Sequence, residues 1–192
     1  MSEIPSQDGL FIVDQQKCVI KDFDAPGWIL DIGGGGEGII GRLKGSNVIA
    51  IDIRKEELLE APPGPLKLVM DATDLHFLDN TFDTVTAFFS LMYLPSESRP
   101  QVFHEVTRVL APEGKFYIWD VTIPPVTDPT KHLFVVPLTI QLPDEEVQTG
   151  YGVPWQGRKQ SLSDYLQLAQ KTGLKLVTHQ TTDHIFYIEF TK

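Results

Sequence analysis

The residues best suited to hold a charged small molecule fall within one short stretch. In ILDIGGGGEGII, residues 29–40, an apolar run ends in four glycines and a second apolar run follows. Glycines are required where a backbone turns through positive φ or must touch a ligand directly. A G-x-G-x-x-G pattern at Gly33, Gly35 and Gly38 is weak alone, but directly after an apolar strand it becomes a specific sign of a nucleotide-type loop. Asp31 stands two residues before Gly33. A carboxylate there repels a pyrophosphate laid over the turn and attracts a ligand carrying an ammonium group. Asp52 ends VIAIDI, about twenty residues on, where an acid can accept hydrogen bonds from both ribose hydroxyls. Asp71, in LVMDATDL, can accept from the exocyclic amine of adenine, with the Ala72 N–H near a ring nitrogen. Each acid also has a plainer reading, as a loop cap, a solvated strand end or a turn former.

The elements that would position these acids alternate. Apolar runs at 28–32, 47–53, 66–70, 82–91 and 115–121 read as strands, and 37–44, 54–60 and 98–110 read as helices between them. Strands this continuously apolar suit a parallel sheet covered on both faces. Ser98 and Gln101 fit a capping box for the helix over 98–110, with Pro100 in its first turn and Pro112 and Gly114 stopping it. Ser161 caps a last helix, Gly173 ends it, and 174–179 and 185–191 follow too closely for a parallel crossover, so they pair antiparallel. The fold expected is α/β: a doubly wound, mostly parallel seven-stranded sheet with one antiparallel strand. Residues 10–13 and 17–20 add a short N-terminal hairpin, or two short strands. The proline-rich stretch 122–160 breaks the alternation and holds a second hairpin, over 133–142 and 146–153, expected to serve as a lid, a substrate site or a dimer contact.

Composition narrows the function classes. With 16 Lys and Arg against 26 Asp and Glu, the net charge of −10 disfavours nucleic acid as a partner. The length of 192 residues suits a single domain over 1–192. One cysteine, Cys18, permits no intrachain disulfide and reads as a small buried apolar side chain, which fits a cytoplasmic protein. The N-terminal MSEIPSQDGL lacks the features of a signal peptide, no run is apolar enough for a membrane helix, and no Cys/His cluster proposes a metal.

In order and spacing, ILDIGGGG, the acidic end of VIAIDI, DATDLHFLDNTFDTVTAFFSLMYL and EVTRVLAPEGKFYIWDV resemble the class I S-adenosylmethionine-dependent methyltransferases of the small-molecule type. The likeness is close over 28–121 and one of pattern alone over 161–191. It implies S-adenosylmethionine as cofactor and S-adenosylhomocysteine as product. Asp31 and the backbone of Gly33, Gly34 and Gly35 would hold the methionine part, Asp52 the ribose, Ile53, Asp71 and Ala72 the adenine, and Ser90 would line the sulfonium end. Two departures stand out: Glu37 occupies the place of the family's third glycine, and only 27 residues precede Trp28 where the family has a covering helix. The lid must then come from 122–160, from the N-terminal strands or from a second subunit.

No catalytic base can be named. Tyr93, just past the fourth strand, and His132, Tyr151 and Trp155 in the insertion are the acceptor-side candidates, each with a packing role as the alternative. The acceptor expected is a small molecule, and an apolar outer face on the 122–160 hairpin would make a homodimer. Two other readings stay open: a non-catalytic cofactor-binding or interaction module, and an NAD-type oxidoreductase, against which Asp31 argues.

Overall fold

The structure, a computed structural model, describes residues 9–192. In chain order its elements are β1 (Leu10–Ile12), β2 (Gln16–Val19), β3 (Ile29–Ile32), α1 (Ile39–Lys44), β4 (Val48–Asp52), α2 (Lys55–Glu60), β5 (Leu66–Val69) and β6 (Phe82–Phe88). Then come α3 (Arg99–Val109), β7 (Leu110–Val121), β8 (Leu133–Gln141), β9 (Glu146–Pro154), α4 (Leu162–Thr172), β10 (Lys175–Thr182) and β11 (Ile185–Thr191).

Seven strands form one sheet in the order β10-β11-β7-β6-β3-β4-β5. Only β11 runs against its neighbours, pairing antiparallel with both β7 and β10. All four residues of β3 are buried, as a central strand covered on both faces must be. Its register places Asp31 between Ala50 of β4 and Thr86 of β6. On one face α3 and α4 bury Val102, Phe103, Val106, Tyr165 and Ala169 against Phe116 and Phe190. α4 begins as the sequence implies, with Ser161 Oγ accepting the Asp164 N–H, and ends on Gly173 at φ 88. Among the described residues no helix is long and apolar enough to cross a membrane.

The other face carries a smaller sheet. β8 and β9 pair antiparallel from Leu133↔Pro154 to Gln141↔Glu146, the hairpin expected inside 122–160. β1 and β2 do not form a hairpin with each other. Both run parallel to β8 along its free edge, end to end, at Leu10↔Leu133 and Gln16↔Leu138. Between them residues 13–15 face only 136–137, and Pro137, which has no N–H to pair, stands at that slip. The linking Asp14-Gln15 also lacks the glycine a tight reversal favours. Val13, Cys18, Phe134, Val136, Leu138, Ile140 and Trp155 pack down onto the layer holding Tyr117, Trp119 and Val121. Each such burial contributes about 1.5–3 kcal/mol. The outward row of β8–β9 is mixed, running from half-exposed Leu133 to polar Thr139, Gln141, Gln148 and Glu146.

Two further boundaries differ from the sequence reading. Ser98 is itself helical (φ −88, ψ −23) and makes no side-chain cap, so the capping box with Gln101 does not form. The preceding turn, closed by Ser98 N–H on the Pro95 carbonyl, runs straight into α3 and leaves the hydroxyl no extended residue from which to reach back. β7 begins at Leu110 rather than 115, because Phe82 pairs Leu110 and Thr84 pairs Lys115 while 111–114 bulge out through Glu113 at φ 64.

Candidate functional site

The carboxyl ends of β3, β4 and β6 open into a cavity of about 780 Å³. This is where an open α/β sheet binds its ligand. Its floor is the glycine loop, stapled down by the Gly33 and Gly34 N–H groups on the Ile51 carbonyl (2.8 and 3.0 Å). Gly33 has φ 73, and a Cβ there would stand 2.3 Å from Ser90 Cβ, so the loop and the end of β6 touch only because Gly33 has no side chain. Positive φ recurs at Gly36 and Gly38 but not at the residue between them, which is why Glu37 is tolerated where the family's third glycine falls.

Asp31 is 2% exposed. Thr86 Oγ1 donates to it at 2.7 Å and is its hydrogen-bond partner among the described residues. Burial pushes its carboxyl up to about 7, with the Asp52 charge adding and the Thr86 bond opposing. Asp52 Oδ1 accepts the Arg54 N–H at 2.8 Å, and its Oδ2 faces the loop, 3.0 Å from where a Gly35 Cβ would stand. Asp71 Oδ1 accepts both the N–H and the hydroxyl of Thr73 at 2.8 Å, closing a turn that presents Ala72 to the cavity. Ile53, although 67% exposed, lines the cavity as an uncovered apolar platform. Ser90 Oγ is buried without a partner. The preceding Phe89 holds φ 46, a conformation that costs of order 1–3 kcal/mol in a bulky residue and clusters at functional sites.

The roof comes from the smaller sheet. The period-two alternation of β9 puts Thr149 and Tyr151 on its inner face. Tyr151 Oη donates to Glu37 Oε2 at 3.0 Å, and Thr149 Oγ1 donates to Glu37 Oε1. Arg42 of α1 reaches Glu145, in the β8–β9 turn, at 3.0 Å. Tyr93, 46% exposed, lies on the rim; desolvation of its hydroxyl pushes the phenol up to about 12, against a bond from the Gly152 backbone. Burial and the Glu37 charge also push Tyr151 far up. At neutral pH both phenols are therefore proton donors, not bases.

The structure thus gathers Asp31, Gly33, Gly34, Gly35, Asp52, Ile53, Asp71, Ala72, Ser90, Tyr93 and Tyr151 around one cavity. His132 and Trp155 are not among its lining residues. The His132 ring lies against Gly9, and Trp155 is buried against Phe11 with its Nε1–H on the Pro124 carbonyl. Glu37 is the residue sequence reasoning missed as a positioning group. Its partners lie 112 and 114 residues away, and only its place among glycines marked it. The site fits a ligand with an ammonium group, a ribose and a flat base: a buried unpaired acid, a backbone cradle, an orphaned hydroxyl and an uncovered apolar platform stand in sequence along it.

Sheet order, glycine loop and strand-end acids together form a Rossmann-like site at the carboxyl ends of a mostly parallel sheet. Residues 30–118 match the family described as a methyltransferase domain. The fold is similar to that of an S-adenosylmethionine-dependent methyltransferase from Methanosarcina mazei (TM-score 0.63, 19% identity, covering 88% of this chain and 94% of that one). It is likewise similar to one from Mesorhizobium loti (TM-score 0.62, 14% identity, 88% and 94%). A Pyrococcus horikoshii protein gives a TM-score of 0.65 at 19% identity, covering 86% and 82%. A 51-residue stretch, 27% of this chain, is 41% identical to part of a Caenorhabditis elegans sterol 4-C-methyltransferase, of which it spans 15%. Residues 30–118 thus match the methyltransferase-domain family, and the fold is similar to that of S-adenosylmethionine-dependent methyltransferases.

Proposed function

We propose that this protein transfers a methyl group from S-adenosylmethionine to a small-molecule acceptor by in-line displacement. The observation that carries this reading is Asp31, a buried carboxyl without a cationic partner among the described residues, facing the cavity beside the glycine loop. Asp31 and the backbone of Gly33 to Gly35 would hold the amino-acid end, Asp52 the ribose, Ile53, Asp71 and Ala72 the base, and Ser90 the sulfonium end. When bound, the cofactor supplies a methyl already made electrophilic by its sulfonium; the bond to the acceptor forms as the carbon–sulfur bond breaks. The chain's own task is to bring an acceptor into line and keep water out, and proximity of this kind supplies several kcal/mol. The small-molecule partner and the cytoplasmic setting belong to the same proposal; the homodimer does not, because the outward row of β8–β9 is mixed rather than apolar.

Calorimetric titration with S-adenosylmethionine, S-adenosylhomocysteine and NAD, alongside Asp52→Ala, tests it. Saturable binding of the first two, weakened in the variant and absent for NAD, is expected. A folded protein that binds none of them would refute the reading. One observation favours a second reading, a module that holds cofactor without turnover: Tyr93 and Tyr151 are both held protonated, so neither serves as a general base. Cofactor binding without methyl transfer to any member of an acceptor panel would select it.

A further inference from the structure

The two ends of the cavity differ in chemistry, and the difference constrains what can be methylated. Six carboxylates line the cavity: Asp31, Glu37, Asp52, Glu57, Glu60 and Asp71. The single basic residue lining it is Arg54, which stands at the start of α2 in the nucleoside half and is already paired with Glu57 at 2.9 Å. Among the described residues, no cation lines the half beyond Ser90. Its walls are Phe88, Phe89, Tyr93, Leu94 and Pro95, closed by Tyr151 from the roof. Phe88 and Phe89 have ring centroids 5.0 Å apart, and Phe89 and Tyr151 lie 5.5 Å apart at 31°, a spacing suited to offset aromatic packing. A strained backbone at Phe89 holds that ring in place. A volume of about 780 Å³ has room for a nucleoside cofactor and one more small molecule, against the roughly 300–1,000 Å³ of ordinary ligand sites.

The geometry points to a methyl acceptor that is a flat, uncharged ring compound, seated between Tyr93 and Tyr151 and bearing no carboxylate or phosphate; this rests on the methyltransferase reading above. An anionic acceptor would enter a field set by carboxylates, find no cation at its end, and lose its hydration against aromatic walls. A nucleic acid is disfavoured for the same reason. A flat neutral ring buries apolar surface against the Tyr93 and Tyr151 side chains, and its hydroxyl or amine can accept from the Tyr93 hydroxyl, that of Tyr151 being committed to Glu37.

The test uses the full chain saturated with S-adenosylhomocysteine and matched probes: p-cresol against 4-hydroxyphenylacetate, indole against indole-3-acetate, and 2-naphthol against 6-hydroxy-2-naphthoate. Binding is read by calorimetry and methyl transfer by product release. Each neutral member is expected to bind about tenfold or more tighter than its anionic partner, a difference of about 1.4 kcal/mol. Tyr93→Arg, or Ser98→Lys should the first variant misfold, introduces a cation at the rim and should shrink that ratio to about threefold or less. Thermal melting and S-adenosylhomocysteine affinity of each variant show that the nucleoside half survives. Equal or tighter binding of the anionic members overturns the inference. So does a protein that binds S-adenosylhomocysteine and none of the six probes, which leaves the cofactor reading standing. Failure to bind S-adenosylhomocysteine brings down both.

Discussion

The glycine-loop side of the cavity and its roof are built on opposite principles. The floor comes from neighbouring strand ends of one parallel sheet, and its chemistry is carried by backbone and by short acids. The roof comes from β1, β2, β8 and β9, where β1–β2 and β8–β9 lie more than a hundred residues apart in the chain, and it brings one aromatic side chain, Tyr151, to the cavity. One half is set by local turns and the other by long-range packing. The two meet across a shared apolar layer and, at the cavity, through Glu37 with Thr149 and Tyr151 and through Phe89 against Tyr151. The family match spans 30–118, so it includes the floor and the 88–95 wall and stops before the β8–β9 roof.

The largest effect expected separates the two regions by stability. Trp155→Ala removes a side chain that is 1% exposed and should cost about 3–5 kcal/mol. Hydrogen exchange should then rise in 133–154 well before it rises in β3 and β6. Uniform loss of protection would show a single cooperative unit and break the comparison.

Next comes Asp31→Asn, which replaces the ionised partner of an ammonium and should weaken S-adenosylmethionine binding by about 1.5–3 kcal/mol, roughly ten- to hundredfold. The same substitution should flatten a pH dependence. Because the Asp31 carboxyl is raised to about 7, it holds a proton below that value, and binding a cation must expel it. Affinity of the native protein should therefore strengthen as pH rises from about 6 to about 8, by roughly tenfold. Stability without ligand runs the other way. Burial also raises Asp120 to about 6. Between about pH 4 and 7 the folded state keeps protons at Asp31 and Asp120 that the unfolded chain has lost, so stability falls as pH rises through that window. Denaturant melts at about pH 5 and pH 8 check the sign.

Glu37→Gln should act more gently, loosening the roof by about 0.5–1.5 kcal/mol. Exchange in 146–154 should rise and acceptor KM increase several-fold, with little change in S-adenosylhomocysteine affinity. A large loss of that affinity would place Glu37 in the floor instead. The smallest effect concerns Cys18, whose thiol burial pushes up to about 12. It should react with a disulfide reagent only as fast as the small sheet opens.

The floor was legible from sequence because its residues are contiguous and each has a local reason to be there. Apolar runs, glycines and Asp31, Asp52 and Asp71 predicted the strands and the cavity they frame. The roof was only half legible. Alternation in 133–142 and 146–153 predicted a hairpin, but nothing local says that β8 takes β1 and β2 on its other edge. Pattern likewise could not separate Tyr151, which faces the cavity, from Trp155, which faces the core. Both are aromatic, and the difference lies in which layer of the fold meets them. The missing cap at Ser98 shows the same limit: the motif was present, and the preceding turn overrode it.

The parallel seating of β1 and β2 on β8 has a consequence for the order of events at synthesis. Residues 10–19 leave the ribosome well before their strand partner, 133–141, which emerges more than a hundred residues later. Until then Phe11, Val13, Cys18 and Ile20 have no layer to cover, and the nascent chain carries an unpaired apolar segment while the central strands assemble. β1 and β2 are thus among the last strands to find their place, and the cavity acquires its roof only after its floor.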